Sequence, residues 1–539
     1  MISTTDHEMW NPDNILPLFL KTTEDPRHQL TALDDEIARV EQTLSRLRSL
    51  QPVLRRDINR LHSPMLNRLP TELVSEIFIH CIPEQSDLIA ASQSEGVSPL
   101  FLGTVCSAWR QIAWNTPTLW TSPNLLLSKL RLRTQAELLE EWIGRSGDLL
   151  LTLKLHCGTD DDRVTNIPHT LFQIILGHAS RWKGIDLQVP TAYYEDLSAP
   201  GASFSSLQSL IINPSGGQGD RSHVLNWSAC TPKLRNISLF SVYLNTVRVR
   251  WDNITRVHAK AFYIDECIEF MRRTPNLEYC NFYSVIRGDD GHNPPADLIE
   301  VPHLRTLSLV TERTVDAGRI LTKLDSPQMT GLTFDVAERS FDVSSFKQFV
   351  TASAQNLTQL SILRASITSA DVADILPLIP TVTDFKLNVI EARGVCMDST
   401  VMNMLKPSRS GKCVLPNMTR FEYVGPFSFS WPLMIGVLVA RRGLKVHPSS
   451  ATLVSADAMR DSDRLLFPSQ NVAILTHAAI RVREAFDDID PLDRHLLQLV
   501  RQLAGDGLDL SVAAATVECL DYNFFPVRVP SQRVTPNNH

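Results

Sequence analysis

Pro275-Asn-Leu277-Glu-Tyr-Cys280-Asn-Phe282 returns a short distance later as Pro302-His-Leu304-Arg-Thr-Leu307-Ser-Leu309. Both read x-x-φ-x-x-φ-x-φ, where φ is apolar. The same spacing holds in Pro232-Lys-Leu234-Arg-Asn-Ile237-Ser-Leu239 and Pro327-Gln-Met329-Thr-Gly-Leu332-Thr-Phe334. It continues in Leu357/Leu360/Ile362, Val382/Phe385/Leu387 and Met418/Phe421/Tyr423. Fainter copies are Leu150/Leu153/Leu155, Trp182/Ile185/Leu187, Leu207/Leu210/Ile212 and Ile254/Val257/Ala259. Anchored two residues before the first apolar position, copies begin at 180, 205, 232, 252, 275, 302, 327, 355 and 380, a mean spacing of 25. The φ-x-φ end has the period of a strand. Ile264/Cys267/Ile268/Met271 and the Ser369-capped Val372/Ile375/Leu376 give helical spacing between copies. The chain therefore predicts an α/β array of strand-plus-helix units, each burying its apolar positions against its neighbours.

The period resembles that of leucine-rich-repeat proteins, which implies a solenoid or horseshoe over about residues 148–445. The Asn usual after the strand is missing, with Val242, Glu312 and Ala337 in its place, so the expected solenoid is irregular and lacks an Asn ladder. The x positions would line the concave sheet, and Asn236, Phe240, Tyr279, Asn281, Tyr283, Thr306, Ser308, Thr333, Gln359 and Lys386 are the expected contacts for a protein target. The alternative for each is a solvated side chain on a sheet face.

Upstream, Leu30, Leu33, Ile37, Val40, Leu44 and Leu47 step by three and four, the a/d spacing of a heptad seam. Pro52 is expected to interrupt the helix. Val53, Leu54, Ile58 and Leu61 resume the pattern beyond it. Two readings stay open: a homodimer through residues 30–61, or one amphipathic helix packed on its own domain.

Between rod and repeats lies a compact helical module, residues 64–122. Leu69, Leu73, Ile77 and Cys81 fall on one helical face after Pro70, with Phe78 beside them. Ser98-Pro99 predicts the start of a second helix with the face Leu102, Val105, Trp109 and Ile112. Leu69-Pro70-x-Glu72-Leu73-x-x-x-Ile77-Phe78, Leu102-x-x-Val105-Cys106-x-x-Trp109-Arg110 and Thr116-Pro117-x-Leu119-Trp120, in that order after a heptad helix, resemble an F-box. The set is similar to the F-box-like proteins abundant in mushroom-forming fungi, with a longer loop at 83–97 than compact boxes carry. The resemblance implies binding to the Skp adaptor of a cullin–RING ubiquitin ligase. Leu69, Pro70, Leu73, Ile77, Phe78, Leu102, Val105, Cys106 and Trp109 would be divided between the module's own core and the adaptor.

The other segments are read as a flexible N-terminus (1–29), linker helices (123–147), a C-terminal cap (446–520) and a frayed tail (521–539). Trp431 to Ala440 reads as a buried strand, Ala473 to Leu503 as a helix broken at Pro491, and Leu508 to Val512 as a last strand. A formal charge of −7 gives no general drive toward nucleic acid or anionic membrane. No apolar run approaches the roughly 20 residues of a membrane-spanning helix. Nine cysteines without a C-x-x-C pair, and no secretory signal in Met1 to Asn14, point to reduced thiols in the cytoplasm or nucleus. The N-x-S/T sequons at Asn226, Asn236, Asn253, Asn356 and Asn417 then read as chance.

Phosphate-cradle, zinc-protease, nucleophile-elbow and dinucleotide signatures are missing. The Gly-rich 214–221, Asp160-Asp161-Asp162 and Asp289-Asp290-Gly-His292 read as loops. The expectation is a non-enzymatic substrate receptor with no cofactor or metal. A ligase-independent scaffold that self-associates through the rod is the alternative.

Overall fold

The computed structural model describes residues 25–62, 64–82, 98–157, 167–198, 201–215, 221–286, 297–311, 314–336, 341–389, 396–407, 413–426, 429–446, 453–455, 472–483 and 494–515. The chain divides into two compact units, Met1–Thr121 with Trp142–Leu149, and Ser122–Glu141 with Leu150–His539. The stretches 83–97, 160–162 and 289–292 expected as loops, most of the Gly-rich stretch, residues 1–24 and residues 516–539 lie outside the described residues; residues 26–29, expected within a flexible start, are helical.

The first unit is helical. Helix α1 (Pro26–His62) runs unbroken through Pro52. The expected interruption does not occur. Proline removes one hydrogen bond to the carbonyl four residues back, and Arg48 is solvent-exposed, so water can satisfy its carbonyl. Nor does α1 pack on its own domain: Leu30, Leu33, Ile37, Val40, Leu44, Leu47, Leu50, Val53, Leu54 and Ile58 are all exposed. Helices α2 (Pro64–Arg68) and α3 (Thr71–Cys81) follow. The second helix of the module starts as expected, with the Ser98 hydroxyl accepting from the Leu100 N–H at 3.3 Å and Pro99 in the first turn. It is two helices rather than one, α4 (Pro99–Val105) and α5 (Ser107–Trp114). Cys106 between them is extended (φ −159°, ψ 169°), and its Sγ accepts from the Trp109 N–H, capping α5.

The buried centre of this unit is Val74, Phe78, Leu102, Ala113, Leu119, Trp120 and Trp142. Phe78 meets Trp109 at 4.8 Å between ring centroids, and Trp120 makes edge contacts with Trp114 (5.1 Å) and Trp142 (5.0 Å). The Trp120 indole donates to the Ala113 carbonyl at 2.8 Å. Arg145, from helix α6 (Leu132–Arg145), lies over the Trp114 and Trp120 rings at 4.6 and 4.7 Å. The Trp114 ring occupies the space that a side chain on Gly103 would need.

The second unit is a parallel sheet of fourteen strands among the described residues, paired in chain order. They are β1 (Asn124–Leu127), β2 (Leu151–Cys157), β3 (Trp182–Gln188), β4 (Ser209–Ile212), β5 (Asn236–Phe240), β6 (Arg256–Lys260) and β7 (Tyr279–Val285). There follow β8 (Thr306–Thr311), β9 (Gly331–Asp335), β10 (Gln359–Ala365), β11 (Asp384–Val389), β12 (Arg420–Gly425), β13 (His477–Arg483) and β14 (Asp509–Ala515). Parallel neighbours need a crossover, and several gaps hold helices, among them α7 (His169–Gly177), α8 (Ile264–Arg273), α9 (Thr314–Leu321), α10 (Val343–Ser353), α11 (Ser369–Ile375) and α12 (Ser399–Leu405).

The register places the repeat motif in rows. Ile185, Leu210, Ile237, Val257, Cys280, Leu307, Leu332, Leu360, Phe385 and Phe421 are partners across successive strands. The next φ residues form a parallel row from Leu187 to Tyr423, and both rows are buried throughout. Each Val, Leu, Ile or Phe in these rows contributes roughly 1.5–3 kcal/mol of burial.

Sideways hydrogen bonds join the repeats just before the strands. Asn253, Asn276, Asn356 and Asn417 donate their amides to the carbonyls of Pro232, Asp252, Pro327 and Pro380 in the preceding repeats, at 2.7–3.1 Å. Thr330, Thr358, Thr383, Thr419 and Thr476 donate their hydroxyls to the carbonyls of Arg305, Thr330, Thr358, Thr383 and Thr419. An interrupted series of Asn rungs thus lies ahead of the strands, with His303, Gln328 and Thr381 at the same position in other copies. The sequons Asn253, Asn356 and Asn417 belong to it: each pairs a ladder Asn with a Thr at the strand entrance.

Two further expectations are corrected. Trp431 to Ala440 is not a strand but lies within helix α13 (Trp431–Arg441), entered through Ser430 with Pro432 in its first turn. Residues 477–483, expected as the first part of a helix, are β13, whereas the part expected beyond the break at Pro491 is helical, α14 (Arg494–Gly505). Ala478 and Ala479 have helical propensity, but pairing with Phe421 and Glu422 in β12 overrides it. The sheet also begins earlier than expected, with β1 inside the stretch read as linker. The strand expected at 508–512 is β14. At the end of α13, buried Arg441 donates to the carbonyls of Leu405 (2.8 Å), Leu415 (2.9 Å) and Val414 (2.7 Å). Burial lowers its pKa to about 10.

Candidate functional site

Two surfaces carry the residues that the sequence singles out. On the helical unit, the i, i+4 face expected to bury Leu69, Leu73, Ile77 and Cys81 is turned differently. Val74 and Phe78 are the residues of α3 that enter the core, while Leu73 (52%) and Ile77 (41%) remain exposed. Leu69 is half-buried against that core and Pro70 is exposed. On α4, Leu102 is buried and Val105 is exposed, next to half-buried Cys106. Trp109 is half-buried through its contact with Phe78. Phe101, which sequence reasoning did not select, is 61% exposed. The module thus has a filled aromatic centre and an apolar exterior on α3 and α4.

On the sheet, residues alternate between the buried rows and the opposite face. Tyr279, Asn281 and Tyr283 of β7 share that face. Beside them the register places Arg256, His258 and Lys260 of β6, then Asn236, Ser238 and Phe240 of β5. Thr306 and Ser308 flank β7 on the other side. Arg256 lies over the Tyr279 ring at 5.4 Å, and His258 packs on it at 5.2 Å. Tyr283 is exposed. Burial holds its hydroxyl above the usual phenol range, Tyr279 adds to this, and a hydrogen bond with Asn281 opposes it. Asn281 is itself buried, and its Oδ1 has no hydrogen-bond partner among the described residues.

The ends of these strands add a second feature. Ser241, Ala261 and Ser284, which follow Phe240, Lys260 and Tyr283, all have left-handed backbones (φ 52°, 62° and 50°). Each costs on the order of 1 kcal/mol relative to an ordinary conformation. The Ser241 and Ala261 N–H groups donate to the Lys260 and Tyr283 carbonyls, which holds the bends in step. Just beyond, Tyr243 stacks on Tyr263 at 6.3 Å and Arg221 lies over Tyr243 at 4.1 Å. The sequence did not single out Tyr243 or Tyr263, because they sit outside the φ-x-φ frame.

Further along the same face the chemistry changes. Lys386 pairs with Glu422 (3.1 Å), Arg420 with Asp384 (3.5 Å), and His477 with Asp509 (2.9 Å). Lys386, an expected target contact, therefore sits four strands from Asn281, roughly 19 Å at sheet spacing, inside a network of ion pairs. Gln359 and Thr333 lie between the two regions. At the opposite end, buried Lys154 faces Asp186, which is 3.1 Å from His156. Burial lowers the Lys154 pKa, with Asp186 acting against it.

Among the described residues no group of three or more His, Cys, Asp or Glu side chains is placed to hold a metal, and no helix is long and apolar enough to cross a membrane. No protein-family model matches the chain, and no curated protein matches it.

Proposed function

We propose that the chain is a substrate receptor of a Skp–cullin–F-box ubiquitin ligase, with the helical module holding the Skp adaptor and the sheet face holding a protein target. The observation that carries this reading is the exposed apolar set Leu73, Ile77 and Val105 on a module whose own core is already filled. Apolar side chains left outside a completed core mark a surface that another protein can cover. Pro70 and half-buried Leu69 border it. The target would meet the aromatic region of β5–β8, where Tyr279, Tyr283 and Phe240 offer large area at low entropic cost. The mechanism is proximity: holding the target near a charged ubiquitin carrier raises their effective concentration. The repeats would form a leucine-rich-repeat-like solenoid, and the complex would act in the cytoplasm or nucleus.

Co-purification with the Skp adaptor tests this. The full chain should retain it, and the Leu73→Asp/Ile77→Asp variant, which alters only exposed positions, should fold as the wild type does by circular dichroism yet bind at least about thirtyfold more weakly. A folded wild type that does not retain the adaptor, or a variant that retains it equally, would contradict the proposal.

A further inference from the structure

Among the described residues, α1 carries more exposed large apolar side chains than any other element. Because the helix passes through Pro52 without a break, its heptads continue past the point where the sequence alone would end them. Leu30, Ile37, Leu44, Gln51 and Ile58 occupy a positions, and Leu33, Val40, Leu47 and Leu54 occupy d positions. Pro52 falls at b, on the outer side. All the apolar members of this seam just named are exposed. An uncovered seam of this length, about 42 Å of helix, is a face along which helices associate.

The charges identify what covers it. Along the seam from Leu30 to Ile58 the e positions are acidic in the first half, Asp34 and Glu41, and basic in the second, Arg48 and Arg55; Arg27, at e ahead of the seam, is basic. A helix with this division is complementary to itself when reversed. We infer that α1 pairs with the α1 of a second copy of this chain as an antiparallel coiled coil centred between Leu44 and Leu47. In that register Ile37 packs on Leu54 of the second copy, Leu44 on its Leu47 and Leu33 on its Ile58. Asp34 then faces Arg55, and Glu41 faces Arg48, on each side of the dyad. The opposing cost is Glu36 against Asp57, and Glu36 is already engaged by Arg39 at 2.6 Å. Gln51 meets Val40, the single polar layer. A parallel pair would instead set Glu36 against Glu41 of the other copy and leave Arg48 and Arg55 without acidic partners across the seam. The inference does not depend on adaptor binding by the helical module.

Sedimentation of the full chain over a range of concentrations is the test, run with two charge variants. Wild type should be a dimer. Asp34→Arg/Glu41→Arg makes every charged e position basic and should weaken the dimer by about tenfold or more. The fourfold variant Asp34→Arg/Glu41→Arg/Arg48→Glu/Arg55→Glu restores the complementarity in reverse and should recover wild-type association. Helix content by circular dichroism should be unchanged in both, since the substituted positions are exposed. A wild-type monomer at every concentration would overturn the inference. So would a dimer that tightens with Asp34→Arg/Glu41→Arg, because relief of the Glu36–Glu41 clash is the signature of a parallel pair. A dimer that survives Leu44→Asp/Leu47→Asp would overturn it as well.

Discussion

The helical module and the sheet solve the same problem in opposite ways. In the sheet every φ residue of the repeat from Ile185 to Tyr423 is buried, because each unit is covered by the next. In the module a small set of side chains around Trp120 is buried while Leu73, Ile77, Phe101 and Val105 stay in water. A repeating sheet grows its core by adding neighbours, so its apolar positions report on folding. A short helical cluster cannot enclose all its apolar faces, so its leftover positions do not report on its own core. Apolar residues at regular spacing thus mean different things in the two regions.

The largest expected break of this contrast is in the sheet. Leu307→Ala removes a fully buried link between β7 and β9 and should destabilise the second unit by about 2–5 kcal/mol, read as a lower midpoint in urea unfolding. In the module, Gly103→Ala drives a methyl group into the Trp114 ring and should cost about 1–3 kcal/mol, visible in the tryptophan fluorescence transition. Asn356→Ala removes one rung of the ladder to Pro327 and should cost about 0.5–1.5 kcal/mol; Asn356→Asp keeps an acceptor but loses the donor, so it should not rescue. Smallest of all, Leu73→Ser should shift the module's stability by no more than about 0.5 kcal/mol, because the side chain is half in water already. A loss there as large as that of Gly103→Ala would erase the distinction between the two kinds of apolar position.

The sequence was most readable where periodicity is enforced by burial. The φ-x-φ pairs of all the named repeats fall on paired strands, because a strand shifted by one residue would turn both side chains to the wrong face. What it concealed has particular causes. Asn253, Asn356 and Asn417 were visible as sequons, but their role depends on where the preceding proline carbonyl lies, which only the stacked repeats fix. Ala478 and Ala479 read as helix because small residues carry little strand signal without a neighbour. On α3 the choice between Leu73/Ile77 and Val74/Phe78 as the inner face could not be made from spacing, since both pairs are apolar at i, i+4. The aromatic contacts of Phe78 with Trp109, on an element distant in sequence, decide it. On the sheet face, Tyr279, Asn281 and Tyr283 were legible from alternation, whereas Tyr243, Tyr263 and the left-handed bends at Ser241, Ala261 and Ser284 required the folded strand ends.

Hydrogen–deuterium exchange on the full chain, with and without the Skp adaptor, tests the central claim most directly. If the exposed apolar face of the module is the adaptor's seat, added protection should concentrate in Thr71–Cys81 and Pro99–Val105, with the sheet strands unchanged. Protection confined to the sheet, or none in either region at saturating adaptor, would contradict it.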